Sequence, residues 1–162
     1  MNERFYGESD YMALAQAATK NERLRFHENI HDSYADPCQR LFIAMHPRSY
    51  VIPHRHTTPE KSETFVVLKG CVGLVFFDQH GGVRNSVKLG PNCESQVCDI
   101  PPGIWHTAIS LEEGSVFLEF KPGPYCTYAP NDIAPWAPAY GAESIDDYLD
   151  SLYRVFEPTN IR

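Results

Sequence analysis

Residues 53–70 read PHRHTTPEKSETFVVLKG, from Pro53 to Gly70. On an extended chain, residues two apart face the same side, so His54 and His56 project together while Arg55 turns away. Glu63 opens a run of β-branched and apolar residues that ends at Lys69-Gly70. A carboxylate leading such a strand is costly to bury unless a cation or a metal meets it. Further on, Pro101-Pro102-Gly103-Ile104-Trp105-His106 makes a tight turn that delivers a third imidazole onto the next strand. Paired imidazoles with a carboxylate suit a borderline divalent metal.

Working outward, the same texture continues on both sides. Apolar or alternating runs at 40–45, 50–56, 62–68, 71–78, 83–89, 97–100, 105–110 and 115–121 are separated by Gly- and Pro-containing turns. Short strands at such spacing are the mark of an all-β sandwich or barrel. Residues 62–68 and 71–78 are expected to form a hairpin about Lys69-Gly70. Before this block, Ser9 is a plausible cap for a helix carrying Tyr11, Met12, Leu14, Ala15 and Ala18 on one stripe. After it comes a proline-rich stretch with Tyr125, Tyr128 and Trp136, then a helix with Ile145, Tyr148, Leu149, Leu152 and Phe156 on one face. Ser144 and Asp147 stand in capping-box relation. The expected organisation is a helical segment at 1–23, a β-barrel at 24–121, and a strap with a C-terminal helix at 122–162.

These motifs resemble the cupin pattern: a histidine pair, a glutamate, then six residues and a glycine, followed by proline-any-glycine, two residues and a histidine. The matching residues are His54, His56, Glu63 and Gly70, then Pro101, Gly103 and His106. The chain departs from the pattern at Arg48, where a glycine is usual, at Ser110, where an asparagine is usual, and in a longer gap between His56 and Glu63. That longer gap makes Glu60 a competitor, but only Glu63 stands at the proper distance from Gly70. The stretches QRLFIAMHPRSYVIPHRH, ETFVVLKG, IPPGIWHT, EFKPGPY and DIAPWAP, spanning residues 39–138, are similar to the WbuC family of cupin-fold metalloproteins. The resemblance implies a single double-stranded β-helix (jelly-roll) barrel, mainly β, with His54, His56, Glu63 and His106 as metal ligands. It also implies a homodimer and a place among surface-polysaccharide (O-antigen) genes.

Imidazole and carboxylate ligands suit one divalent ion of Fe, Mn, Ni, Zn or Co. The leading functional expectation is a metal-dependent enzyme, an isomerase or epimerase, acting on a small oxygen-rich metabolite such as a sugar or sugar nucleotide. An Fe(II)-dependent dioxygenase and a non-catalytic metal-assisted sensor are the alternatives. Tyr50, on the same face as His54, is the candidate acid/base; Arg48, His27 and His31 are candidate substrate contacts. Trp105 is turned away from the metal by alternation.

Composition narrows the partners. A chain of 162 residues with 43% hydrophobic content buries a real core, and a net charge of -7 argues against nucleic acid or an anionic membrane. The N-terminal residues MNERFYGESDYM lack a signal's apolar core, and no apolar run reaches the ~20 residues of a membrane span, which points to the cytoplasm. The five cysteines read as reduced thiols, with Cys71 a small core residue.

Overall fold

A computed structural model of the protein describes residues 2–57 and 59–158, so the outermost residues of both terminal segments lie outside it. The first element is α1, Glu8–Thr19. Its cap is Gly7 rather than Ser9: the Gly7 N–H donates to Asp10 Oδ2 at 2.8 Å. An acid at the third helical position reaches back to an otherwise unpaired amide, which starts the helix earlier than the serine would.

Eight strands follow: β1 Arg25–Asn29, β2 Cys38–Met45, β3 Glu63–Lys69, β4 Val72–Phe77, β5 Val83–Leu89, β6 Val97–Ile100, β7 Trp105–Ser110 and β8 Ser115–Pro122. They form two antiparallel sheets, ordered β1-β2-β8-β3-β6 and β5-β4-β7. The larger sheet has two dressed faces. Phe42 and Ala44 of β2 turn outward with Val116 onto Leu14 and Ala18 of α1. Met45, Phe65 and Phe117 turn inward to meet Leu74, Phe76 and Leu89 of the smaller sheet. Burying each such large side chain stabilises by roughly 1.5–3 kcal/mol before entropy is counted.

The sequence of β4, VGLVFF, is buried at every position, because the smaller sheet is covered on both faces. Its outer face, Val75 and Phe77, packs with Trp105 and Ile109 beneath Tyr50, Leu149 and Leu152. The last two belong to α2, Ile145–Arg154. Gly73 sits so near this cover that a Cβ there would lie 2.6 Å from the Phe156 ring.

Four local expectations change. Residues 62–68 and 71–78 do not pair as a hairpin, because β3 and β4 belong to different sheets. Gly70, at φ +72, carries the chain between them against Ser115. A wholly apolar β4 is satisfied only at the centre of a doubly covered sheet, whereas alternating β3 suits β8 and β6 with one face buried. Residues 50–56 run extended without a regular ladder; only His54 bridges, to His106 on one side and Ile133 on the other. Pro53 has no N–H to continue the pairing. Ser144 precedes α2, yet its side chain makes no cap bond, since its backbone (φ -79, ψ 0) is not extended. Finally, residues 25–29, not among the strand runs read from the sequence, form a full edge strand. Among the described residues no helix is long and apolar enough to cross a membrane.

Candidate metal centre

The ligand segment at 53–57 is held from both sides. His54 and His106 exchange backbone hydrogen bonds at 3.0 and 2.9 Å, and the Gly103 N–H donates to His56 O at 3.0 Å. On the other flank, Arg55 N–H donates to Asp132 O at 2.9 Å and Ala134 N–H to Pro53 O at 2.9 Å. The buried Asp132 carboxylate accepts the Thr57 N–H at 3.1 Å and the Thr57 hydroxyl at 2.5 Å. The Arg55 guanidinium, with Nε 3.5 Å from Asp132 Oδ1, lies 4.3 Å over the Trp105 ring. Arg55 and Trp105 thus face away from the histidines, as alternation requires.

The hydrogen-bond partners assign the ring tautomers. His54 Nδ1 meets Ile52 O at 3.0 Å and His106 Nδ1 meets Ile104 O at 2.8 Å. A carbonyl only accepts, so Nδ1 of both rings carries a proton, and both Nε2 atoms are turned toward the cluster. His106 Nε2 lies 3.1 Å from Glu63 Oε2, within hydrogen-bond reach of the carboxylate. His56 Nε2 lies 2.9 Å from Glu63 Oε1 but at an angle that makes no hydrogen bond, leaving it a buried nitrogen without a partner. The donor atoms of His54, His56, Glu63 and His106 all lie within 4.8 Å of one another. Three ring nitrogens, one of them without a hydrogen-bond partner, and a buried carboxylate converging this way fit a divalent transition metal.

The electrostatics agree. Burial, aided by His106, pulls His54 down to about 3, so its imidazole stays neutral and able to ligate. Burial alone would raise Glu63, but His106, His56 and Lys121 hold its carboxyl well below the ordinary value. Lys121 Nζ stands 3.2 Å from Glu63 Oε1 and 2.5 Å from Glu119 Oε1. Burial disfavours that ammonium, yet the two carboxylates outweigh it and hold Lys121 charged. Tyr128 closes the open side: its hydroxyl lies 3.2 Å from His54 Nε2 and its ring stacks 4.6 Å from that imidazole. Above the ligands is a cavity of about 360 Å³.

His27 and His31 line that cavity. His31 Nδ1 accepts the Arg40 N–H at 3.0 Å. Glu60 is exposed and outside the cluster, so the histidines gather around Glu63. Two candidates are corrected. Tyr50 lies in the outer core, where its hydroxyl donates to Pro138 O at 2.7 Å and burial pushes its pKa up; it does not line the cavity. Without a regular strand between Tyr50 and His54, the two-residue parity that would put both on one face does not hold. Arg48 is bound to Asp146 and Asp150 of α2 at 2.6 and 2.5 Å, so it fastens that helix rather than reaching the site. Sequence reasoning missed Lys121, Glu119, Tyr128 and Asp132. Glu119 and Lys121 alternate with Phe117 and so share its inward face, a legible signal; Tyr128 and Asp132 lie on the irregular strap, where no period points.

A family model described as "Domain of unknown function (DUF6016)" matches residues 7–89, just over half of the chain. No curated protein matches the chain. Procruciferin, an 11S globulin from Brassica napus, is similar in structure at TM-score 0.50 and 14% identity, over 64% of this chain and 26% of that one. KdgF from Halomonas sp. is similar at TM-score 0.47 and 15% identity, over 60% and 77% of the two chains. A cupin-2 domain protein from Shewanella frigidimarina is similar at TM-score 0.45 and 18% identity, over 60% and 80%. At such identities the likeness concerns fold alone. The fold itself is mainly β, two antiparallel sheets packed face to face with a helix at each end.

Proposed function

The chain belongs to the DUF6016 family, a domain of unknown function, and we propose that it is a metal-dependent cupin enzyme acting on a small oxygen-rich metabolite. One observation carries this reading: three imidazoles and a carboxylate have donor atoms within 4.8 Å of one another, and His54, Glu63 and His106 of that set line a cavity of about 360 Å³. His54, His56, Glu63 and His106 would hold one divalent ion of Fe, Mn, Ni, Zn or Co. Bound there, the ion supplies Lewis-acid polarisation of a substrate oxygen.

The chain's own residues supply the rest. Tyr128 places a hydroxyl 3.2 Å from His54 Nε2, where it would be at hand to donate a hydrogen bond to a substrate oxygen. Lys121 offsets the charge of Glu63, whose carboxyl is held below its ordinary value, while burial raises the Glu119 carboxyl beside it. Sugars and sugar nucleotides present suitable adjacent oxygens, and the resemblance to the WbuC family supports a role in surface-polysaccharide metabolism.

The test is metal content by inductively coupled plasma mass spectrometry on untagged protein and on His106→Ala, before and after reconstitution. About one transition metal per chain, absent in the variant, is expected. No metal in either would overturn the reading. Oxygen uptake by Fe(II)-loaded protein with substrate would assign the dioxygenase branch; isomerisation without oxygen uptake would assign the Lewis-acid one.

A further inference from the structure

The cavity above the metal ligands has two unlike walls. On the inner face of the larger sheet, β2 contributes Leu41 and Ile43, β8 contributes Phe117 and β3 contributes Phe65. These form an apolar floor with no hydrogen-bonding group in their side chains. Beyond that floor lies β1, whose inward positions are Arg25 and His27, with Arg23 just before them. The strand order β1-β2-β8-β3 sets β1 three strand spacings from the strand that carries Glu63. At about 4.8 Å per spacing, that is roughly 14 Å along the sheet.

The β1 rim is positive and unneutralised. In a chain of net charge -7, neither Arg23 nor Arg25 makes an ion pair among the described residues. Arg25 is fixed in place, donating to Tyr50 O at 2.5 Å and to the Tyr140 hydroxyl at 3.3 Å. Burial and then the charges of Arg23, Arg25 and Lys121 all push His27 toward its neutral form, the behaviour of a site short of negative charge. An arginine in such a place meets a carboxylate or phosphate well.

We propose that the ligand of this cavity is an amphipathic acid. Its carboxylate or phosphate is held at Arg23, Arg25 and His27, its apolar body lies along Leu41, Ile43 and Phe117, and its oxygen-bearing far end reaches the His54–Glu63–His106 cluster. An unsubstituted sugar fits this poorly: it would strip water from hydroxyls over an apolar floor and leave the rim cations unpaired. The inference rests on the reading of this cavity as the substrate site, and sets an amphipathic acid in place of an unsubstituted sugar as its substrate class.

The probe is 10-hydroxydecanoate, which joins a carboxylate to a terminal hydroxyl through an apolar chain. Neutral 1,10-decanediol and polar glycerol 3-phosphate are the controls. Binding is measured by isothermal titration calorimetry on the full chain, metal-free and metal-loaded, in the wild type and in an Arg23→Gln/His27→Gln double variant. Both substituted side chains are exposed, and a circular dichroism spectrum checks that the fold is kept.

The acid is expected to bind both wild-type forms, to weaken at least tenfold in the double variant, and to weaken as salt rises. The diol should bind less tightly and respond to neither change. Equal affinity for acid and diol, no effect of the double variant, or equal affinity for glycerol 3-phosphate would each overturn the proposal, as would no binding of the acid. Acid binding to a protein that takes up no metal would sink the metalloenzyme reading alone. A metal-loaded protein without preference for the acid would sink this inference alone.

Discussion

Replacing Asp132 tests whether the strap holds the metal ligands in place. The carboxylate is 3% exposed, accepts both the amide and the hydroxyl of Thr57, and faces Arg55 Nε at 3.5 Å. Asp132→Ala leaves the Thr57 donors without their acceptor and the Arg55 guanidinium without its facing carboxylate. Breaking a buried pair by removing one partner costs about 3–5 kcal/mol. The Arg55 side chain is 30% exposed and keeps some water, which places the cost near the low end. Asp132→Asn keeps an acceptor and loses the charge, so it should cost about 1–2 kcal/mol, the scale of one charge-assisted hydrogen bond.

Arg55 and Thr57 flank His56, so slack at Asp132 becomes slack at the ligands. Loss of support behind metal ligands typically weakens affinity 10–100-fold. Urea denaturation of the metal-free variants gives the first quantity, and Zn(II) competition against a chromophoric chelator gives the second. If Asp132→Ala stays within about 1 kcal/mol of wild type and its zinc affinity within about twofold, the strap does not position the ligands, and this reasoning fails.

Three more outcomes are expected. Gly73→Ala drives a methyl group into the Phe156 ring and should destabilise by about 1–3 kcal/mol, with Phe156→Leu restoring most of the loss; additive effects in a double-mutant cycle would show that the two residues do not press on each other. Metal-free protein should lose stability on acidification, because His54, lowered to about 3, stays neutral when folded but protonates near 6.5 when unfolded, and Glu63, held below its ordinary value, contributes stability that is lost as pH falls through its folded pKa. Denaturation midpoints that stay flat from pH 7 to pH 4 would contradict the His54 shift, and no further fall below pH 4 would contradict that of Glu63. Cys71, whose thiol is pushed up to about 12 by burial and by Cys93 at 3.3 Å, should react with a disulfide reagent at pH 8 far more slowly than exposed Cys38 and Cys126, and equal rates would show that the site is open.

Much of the metal cluster was legible because its members obey short-range rules. His54 and His56 share a face by parity, Glu63 heads an apolar strand, and His106 follows a turn fixed by two prolines and Gly103. The rest depended on contacts that no local pattern encodes. Whether β3 and β4 pair across Gly70 is settled by which sheet can cover both faces of VGLVFF, a property of the whole sandwich. Tyr50 and Arg48 looked close to the ligands along the chain, but the outer core and α2 claim them. Asp132 and Tyr128 are more than seventy residues from His54, on a strap without periodicity.

Such long separations bear on the order of assembly. Glu63 takes its place only when β3 pairs with β8, and the segment carrying His54 and His56 is flanked by His106 and Ile133. Contacts so distant in sequence form late, after the entropy of closing large loops has been met. A growing chain on the ribosome would therefore hold its histidines and glutamate apart until β8 and the strap through Ile133 had emerged. A metal would then meet a finished barrel, and the ion selected would be the one available to a folded protein rather than the first one met by a nascent chain.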